Sequence, residues 1–162
     1  MCRSIAWQVL SREKTKEPRT ICRNWQRFIP HHESRTGGTV LVLGIGVDLV
    51  SVTRVERALS RRPALRERLF RPEELGPPDA QGEMRSLAAR FAAKEALRKA
   101  LGASAQGGAW RDVFVSGGRG APPRLELAGD WLAAAASLGA TAWHLTISHE
   151  RDYAVAMVVI ER

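Results

Sequence analysis

The sequence predicts an α+β domain built from an antiparallel sheet and one long helix. A β-branched, apolar run at residues 40–50 is typical of a buried strand, and an alanine-rich helical pattern covers residues 81–101. Residues 143–160 hold two strand patterns joined by a short polar turn, so these two strands must be antiparallel. Strands and helices are thus intermixed in a chain of 162 residues, which suits a single domain around one core.

A helix and further short turns follow the first strand. Residues 51–62 predict this helix, and its apolar side carries Val52, Val55 and Leu59 at positions i, i+3 and i+7. Residues 65–75 predict one or two short helical turns. Three arginines repeat the same spacing on another side of the first helix: Arg54, Arg57 and Arg61.

Gly102 is a natural C-cap for the long helix, because glycine readily takes the backbone conformation that ends many helices. A loop of small residues is predicted at 103–109, after a glycine- and proline-rich loop at 76–79 that precedes the helix. The residues that fall near one stripe of the long helix are Leu87, Phe91, Lys94, Arg98 and Leu101.

The C-terminal part of the chain predicts short strands and a final hairpin. Residues 112–115 and 124–127 are strand candidates with a glycine-rich turn between them. Asp130 can cap the helix that follows. Residues 143–147 alternate apolar and polar side chains, and residues 153–160 are apolar on both faces, which completes the predicted antiparallel hairpin.

The net charge of +8 is concentrated in residues 1–39. Eight Lys and Arg residues against three Glu residues give this segment +5, and the rest of the chain carries +3. Because the segment lacks sustained helical or strand periodicity, we expect a basic extension, disordered or loosely attached, before a folded domain at 40–162. It could be upstream sequence read from a wrongly chosen start, and we expect its removal to leave folding and activity nearly intact.

Composition narrows the class of protein. No apolar run reaches the roughly 18 residues of a membrane helix, and no signal peptide is visible, so the cytoplasm is the expected location. Cys2 and Cys22 resemble neither a disulfide framework nor a metal motif. The basic charge favours an acidic or phosphorylated partner, and it keeps open a non-enzymatic module that binds nucleic acid.

Asp48 is the first residue that stands out chemically. Its neighbours at residues 43–50 are apolar or glycine, and burying an unpaired carboxylate is costly. Asp48 therefore needs a cation, hydrogen bonds from helix-end amides, or a metal. The alternative is a residue that caps the helix after the strand.

Four more polar residues lie on or beside core-forming elements. Glu95 sits beside the apolar stripe of the long helix, with Lys99 one turn further on. A Glu–Lys pair at this spacing is usually a solvated surface pair that adds little stability. Ser148 and His149 end the alternating strand, where a lone histidine is more often structural than catalytic.

Three segments together resemble the acyl-carrier-protein synthase family of phosphopantetheinyl transferases. Residues 44–56, GIGVDLVSVTRVE, are similar to its first motif, residues 90–102, RFAAKEALRKALG, to its second, and residues 147–154, ISHERDYA, to its C-terminal signature. The order and spacing match over about residues 40–162. The chain departs from the family pattern at Phe70-Arg71, Gly102-Ala103-Ser104 and Gly120-Ala121-Pro122.

The resemblance implies transfer of 4′-phosphopantetheine from coenzyme A to a serine of an acidic apo-acyl carrier protein, in fatty acid or polyketide biosynthesis. It implies a homotrimer with active sites between subunits and a bound Mg²⁺ held by Asp48 and Glu95. The residues implied to bind the donor are Lys99, Arg90, Ser148 and His149, and the implied catalytic set is Asp48, Glu95, Lys99 and His149.

The arginine side of the first helix is the implied docking surface for the carrier. Arg54 carries over from the family motif, and Arg57 and Arg61 share its side of the helix. A solvated cationic face is the alternative. Two other functions remain open at this point: the nucleic-acid module, and a family member that binds carrier protein without turnover.

Overall fold

The computed structural model describes residues 40–76, 82–105, 107–118 and 121–162. The predicted extension at residues 1–39 lies outside the described residues, as do residues 77–79 of the predicted loop. The α+β architecture predicted for the rest of the chain is confirmed. Within these described ranges, no helix is both long enough and apolar enough to cross a membrane.

A three-stranded antiparallel sheet is the centre of the fold. Its strands are β1 (Val42–Ser51), β4 (Ala142–His149) and β5 (Tyr153–Glu161), in the order β1-β5-β4. β5 pairs antiparallel with both neighbours, which confirms the predicted C-terminal hairpin. Side chains alternate between the two faces of a strand, and the buried residues of β5 all lie on one face: Ala154, Ala156, Val158 and Ile160.

The long helix α3 (Glu83–Leu101) packs on that face and approaches β1 without side chains in between. A Cβ atom at Gly44 would lie 2.1 Å from the carbonyl oxygen of Ala100. One at Gly46 would lie 1.9 Å from the carbonyl oxygen of Ala96. Helix backbone therefore rests on strand backbone. Because higher strand numbers meet lower helix numbers, α3 runs antiparallel to β1.

The ends of α3 are set by glycines with positive φ. Gly82, with φ of 96°, precedes the helix, and Gly102, with φ of 59°, forms the predicted C-cap. The predicted stripe is right only in part, because Arg98 is exposed and most of the packed face is alanine. Small side chains suffice there since the helix lies so close to the sheet. The buried residues of α3 are Leu87, Ala88, Ala89, Ala92, Ala93, Lys94, Ala96, Leu97, Ala100 and Leu101.

Helix α1 (Val52–Arg61) follows β1 directly, and the short helix α2 (Ala64–Leu69) and a 3-10 turn at Pro72–Glu74 come next. The Ser51 hydroxyl caps α1 by accepting a hydrogen bond from the backbone N–H of Arg54 at 3.4 Å. As predicted, α1 buries Val52, Val55 and Leu59.

A two-stranded ribbon and a last helix complete the domain. Strands β2 (Val113–Gly118) and β3 (Ala121–Leu127) pair antiparallel, and α4 (Gly129–Ser137) follows. The expectation that Asp130 caps α4 is wrong, because the N-cap is Ala128 and the helix begins one residue before Asp130. Asp130 instead lies in the first turn, where a carboxylate interacts favourably with the positive end of the helix dipole.

Candidate active site

Asp48 and Lys99 meet where β1 passes under α3. Asp48 lies on the helix-facing side of β1, in alternation with Gly44 and Gly46. The Nζ atom of Lys99 donates to the Oδ1 atom of Asp48 at 2.8 Å and to the backbone oxygen of Val47 at 2.9 Å. Lys99 therefore supplies the cation that the Asp48 carboxylate requires in this apolar strand.

Glu95 lies one helical turn before Lys99 and close to the same strand. The Nε atom of Arg98 donates to its Oε2 atom at 2.9 Å, so the surface pair between Glu95 and Lys99 considered from spacing alone is not the one observed. The Asp48 and Glu95 side chains are 16% and 19% exposed, which leaves both carboxylates accessible to a ligand. Asp48 lies two residues along β1 from Gly46, which meets α3 at Ala96, the neighbour of Glu95 in the chain.

The two carboxylates suit a hard divalent cation of the magnesium type. Mg²⁺ prefers oxygen ligands and is commonly held by one or two carboxylates, with water and substrate phosphates completing its shell. Among the residues that the structure describes, no group of three or more His, Cys, Asp or Glu side chains could enclose a metal ion by itself. Asp48 and Glu95 fit a cation that the phosphates of a substrate also bind.

A second group of polar residues lines a groove of about 670 Å³ on the opposite side of α3. Arg90 and His149 both line it, and Arg90 also bonds to the hydroxyl of Ser86. His149 belongs to the helix-facing side of β4, opposite the buried Ala154. Ser148 lies on the other face of the sheet, opposite Val155, so the structure separates it from His149.

The predicted site residues therefore form two groups within one chain. Nine residues at 100° each place Arg90 and Lys99 about 180° apart around α3. One group contains Asp48 and Lys99 with Glu95 beside them, and the other contains Arg90 with His149. A single chain does not bring the two groups together.

A buried ion pair, absent from the sequence prediction, lies next to Glu95. Lys94 Nζ donates to Glu74 Oε2 at 2.8 Å, and both side chains are fully buried. Desolvation by burial lowers the pKa of Lys94, while the charge of Glu74 acts in the opposite direction. The available signal was Lys94 itself, because a lysine on the predicted core-facing stripe requires a buried partner.

The predicted arginine surface is present. Arg54, Arg57 and Arg61 are exposed and share one side of α1, opposite the buried residues of that helix. The arginines thus lie on one exposed side of α1, as the helical spacing predicts.

Comparison with protein families identifies one match over most of the described domain. The family model of the 4′-phosphopantetheinyl transferase superfamily matches residues 44–158. That range contains both carboxylates, Lys99, the groove residues and the arginines of α1.

Individual proteins with similar sequences and structures agree with this match. The chain is 49% identical over 122 residues to the holo-[acyl-carrier-protein] synthase of Beutenbergia cavernae, covering 75% of this chain and 100% of that protein. The crystal structure of holo-[acyl-carrier-protein] synthase from Neisseria meningitidis superposes with a TM-score of 0.67 at 32% identity, covering 75% of this chain and 100% of the other. The Helicobacter pylori enzyme in complex with coenzyme A gives 0.59 at 28% identity, with 72% and 98% covered.

Proposed function

The chain belongs to the 4′-phosphopantetheinyl transferase superfamily, and from this we infer that it is a holo-[acyl-carrier-protein] synthase. It transfers 4′-phosphopantetheine from coenzyme A to a serine of apo-acyl carrier protein. The products are holo-carrier protein and adenosine 3′,5′-bisphosphate. A non-enzymatic module that binds nucleic acid or carrier protein is not favoured. The matched relatives are named as synthases, and the match covers nearly their whole length.

The observation that carries this function is the contact between Asp48 and Lys99 beside Glu95. It joins the first two sequence motifs of the family resemblance at one point of the fold. Two carboxylates and an ammonium group, all partly accessible, form a polar centre suited to phosphate chemistry. Reactions of this kind depend mainly on positioning and on charge stabilisation.

We propose that Asp48 and Glu95 hold a Mg²⁺ ion during the reaction. When bound, the ion would supply positive charge to the diphosphate of the donor as the phosphoryl group is transferred. Arg98 and Lys99 orient the two carboxylates by direct hydrogen bonds. Lys99 can exchange its bond to Asp48 for a donor phosphate, because its side chain is nearly half exposed.

The donor would also contact the groove on the other side of α3. Arg90 supplies a fixed cation there and His149 a second hydrogen-bonding group, both suited to phosphate oxygens. We propose that Lys99, Arg90, Ser148 and His149 bind coenzyme A. Ser148 faces away from this groove within one chain, so its contact would be made from the other face of the sheet.

We propose a homotrimer in which each active site lies between two subunits. Neighbouring subunits can bring the Asp48 group of one chain to the Arg90 group of the next. An apolar row on the outer face of β1 supports assembly, with Ile45 60%, Val47 47% and Leu49 65% exposed. Contiguous apolar surface of this kind marks an interaction site. Its neighbours on β5 are Tyr153 and Met157.

The arginine face of α1 is the proposed docking surface for the acidic carrier protein. Arg54, Arg57 and Arg61 are exposed at one helix side, and α1 begins directly after the strand that carries Asp48. A carrier bound there would lie close to the transfer centre. We further propose that the carrier belongs to fatty acid or polyketide biosynthesis and that the enzyme works in the cytoplasm, on the family resemblance.

A direct assay tests the function and its metal requirement together. The protein is incubated with coenzyme A, Mg²⁺ and apo-carrier protein, and the carrier is weighed by mass spectrometry. We expect the mass increase of one phosphopantetheine group, with adenosine 3′,5′-bisphosphate released in equal amount. A chelator should stop the reaction and added Mg²⁺ restore it. Unmodified carrier under all conditions would contradict the function, and chelator-resistant turnover would contradict the metal proposal.

A further inference from the structure

The buried pair of Lys94 and Glu74 joins the core of α3 to the wall of the groove. The ammonium group of Lys94 has three N–H donors and contacts three acceptor oxygens, so its hydrogen-bonding capacity is filled. They are the backbone oxygen of Leu69 at 2.7 Å, Glu74 Oε2 at 2.8 Å and the backbone oxygen of Trp110 at 3.1 Å.

Glu74 extends this network to two further segments. Its Oε2 atom accepts the backbone N–H of Arg71 at 2.9 Å, and its Oε1 atom accepts that of Val115 at 3.2 Å. The pair therefore fixes the end of α2, the 3-10 turn, the segment before β2 and β2 itself to one point on α3.

Stability alone does not account for two charges at this place. The cost of removing a carboxylate and an ammonium group from water is large, and apolar residues of similar volume often stabilise a core as well or better. What an ion pair with directed hydrogen bonds supplies is a defined arrangement of the segments that it joins.

Those segments form the groove. Glu73, Glu74, Leu75 and Gly76 line one wall, Val115 lines another, and Arg90 lies one turn before Lys94 on α3. Moving the 3-10 turn relative to α3 would change the distance between the wall and Arg90. Misplacement by about 1 Å in a binding site can cost about 100-fold in rate.

We propose that Lys94 and Glu74 are positioning residues that set the width of the coenzyme A groove. This inference rests on the proposed assignment of the groove to the donor. The side chains of both residues are fully buried, so the pair would not reach a substrate in the groove. It acts by holding the turn at Pro72–Glu74 and the start of β2 against the helix that carries Arg90.

The test uses two variants of the full chain, Glu74→Gln and the double variant Lys94→Met with Glu74→Gln. The glutamine oxygen can still accept one of the two backbone N–H groups that Glu74 binds, and methionine fills the volume of the lysine side chain without a charge. The double variant thus removes both charges together and leaves neither unpaired. We expect it to fold, with a KM for coenzyme A raised about tenfold and a KM for carrier protein within twofold of the original.

Two control variants separate the possible outcomes. Val158→Ala opens a cavity in the buried core beneath α3, away from the groove, and should lower the Tm without changing the KM for coenzyme A. Arg90→Gln removes a proposed donor ligand and should raise the same KM. An unchanged value in Arg90→Gln would show that the groove assignment itself is wrong.

If Arg90→Gln raises the KM for coenzyme A but the double variant does not, the positioning role is contradicted while the groove assignment stands. The role is also contradicted if both charge-removing variants melt below the assay temperature, because the pair would then serve stability. The positioning role is supported if the double variant and Val158→Ala have equal Tm values and the KM for coenzyme A rises more in the double variant.

Discussion

The two sides of α3 carry the two groups of site residues, but they are built by different means. On the β1 side, backbone lies on backbone, because Gly44 and Gly46 leave no side chain between strand and helix. On the groove side, the neighbouring segments come from residues 69–76 and 110–115, and a buried ion pair joins them to the helix. The comparison shows that the packing beside one half of the proposed site depends on the absence of side chains and the packing beside the other half on a particular charged pair.

The largest loss of turnover is expected from substitutions of the two carboxylates on the β1 side. Asp48→Asn and Glu95→Gln should each lower kcat by about 100-fold or more, because an amide is a poor replacement for a carboxylate ligand of Mg²⁺. Their melting temperatures should change little, since the pairs with Lys99 and Arg98 are partly exposed and contribute about 1 kcal/mol or less.

Steady-state kinetics and thermal unfolding of the same preparations separate these effects. Glu56→Gln, at an exposed position on α1, is the matched control and should retain full turnover. Near-normal kcat in either Asp48→Asn or Glu95→Gln would remove the basis for the metal assignment.

The sequence predicted the β1 side well, because its residues lie in contiguous segments. Asp48 lies in a recognisable strand, and Glu95 and Lys99 share one helix, so a periodic pattern and two motifs were enough to assign them to these elements. The partner of Lys99 was not predictable from helical spacing, which favours Glu95. Only the tertiary approach of β1 to α3 brings the Oδ1 atom of Asp48 to 2.8 Å from the Nζ atom of Lys99.

The groove side was predicted less completely for a physical reason. Glu74 and Lys94 are 20 residues apart and meet through a 3-10 turn that no periodic pattern marks. Alternation along β4 also implies that Ser148 and His149 face opposite sides, which limits what their adjacency in sequence can mean. Asp130 was misplaced as a cap because helix ends depend on local backbone geometry within one or two residues.

The close packing of the β1 side leaves no room for an added methyl group at Gly46. Gly46→Ala would place a methyl group 1.9 Å from the backbone oxygen of Ala96, which no side-chain rotation can relieve. We expect the free energy of unfolding to fall by about 3 kcal/mol or more, at the upper end of the cost of overpacking.

Gly76→Ala is the corresponding control, because the nearest atom to its Cβ would be a flexible side-chain carbon of Glu83 at 3.9 Å. Its stability should stay within about 0.5 kcal/mol of the original. Equal unfolding free energies for the two variants in denaturant titrations would show that α3 can move away from β1.

A smaller effect is expected at the arginine face of α1, which belongs to neither side of α3. Arg54→Glu should raise the KM for carrier protein about fivefold and leave the KM for coenzyme A unchanged, because complementary charge mainly accelerates encounter. The effect should shrink as salt is added. Arg124→Glu, at an exposed position on β3, is the control. A carrier KM that responds neither to Arg54→Glu nor to salt would exclude docking at this face.

If the two sides of α3 form one active site only between subunits, then mixing two variants that are each impaired at low coenzyme A concentration should restore activity. Chains carrying Asp48→Asn are unfolded and refolded together with chains carrying Arg90→Gln in equal amounts. In the proposed trimer each site would draw one group from each of two neighbours, so about a quarter of all sites in the random mixture should contain both intact groups. We predict recovery of up to about a quarter of the original activity at low coenzyme A concentration, well above either variant refolded alone. Activity no higher than the mean of the two separate variants would show that the groups do not meet across subunits.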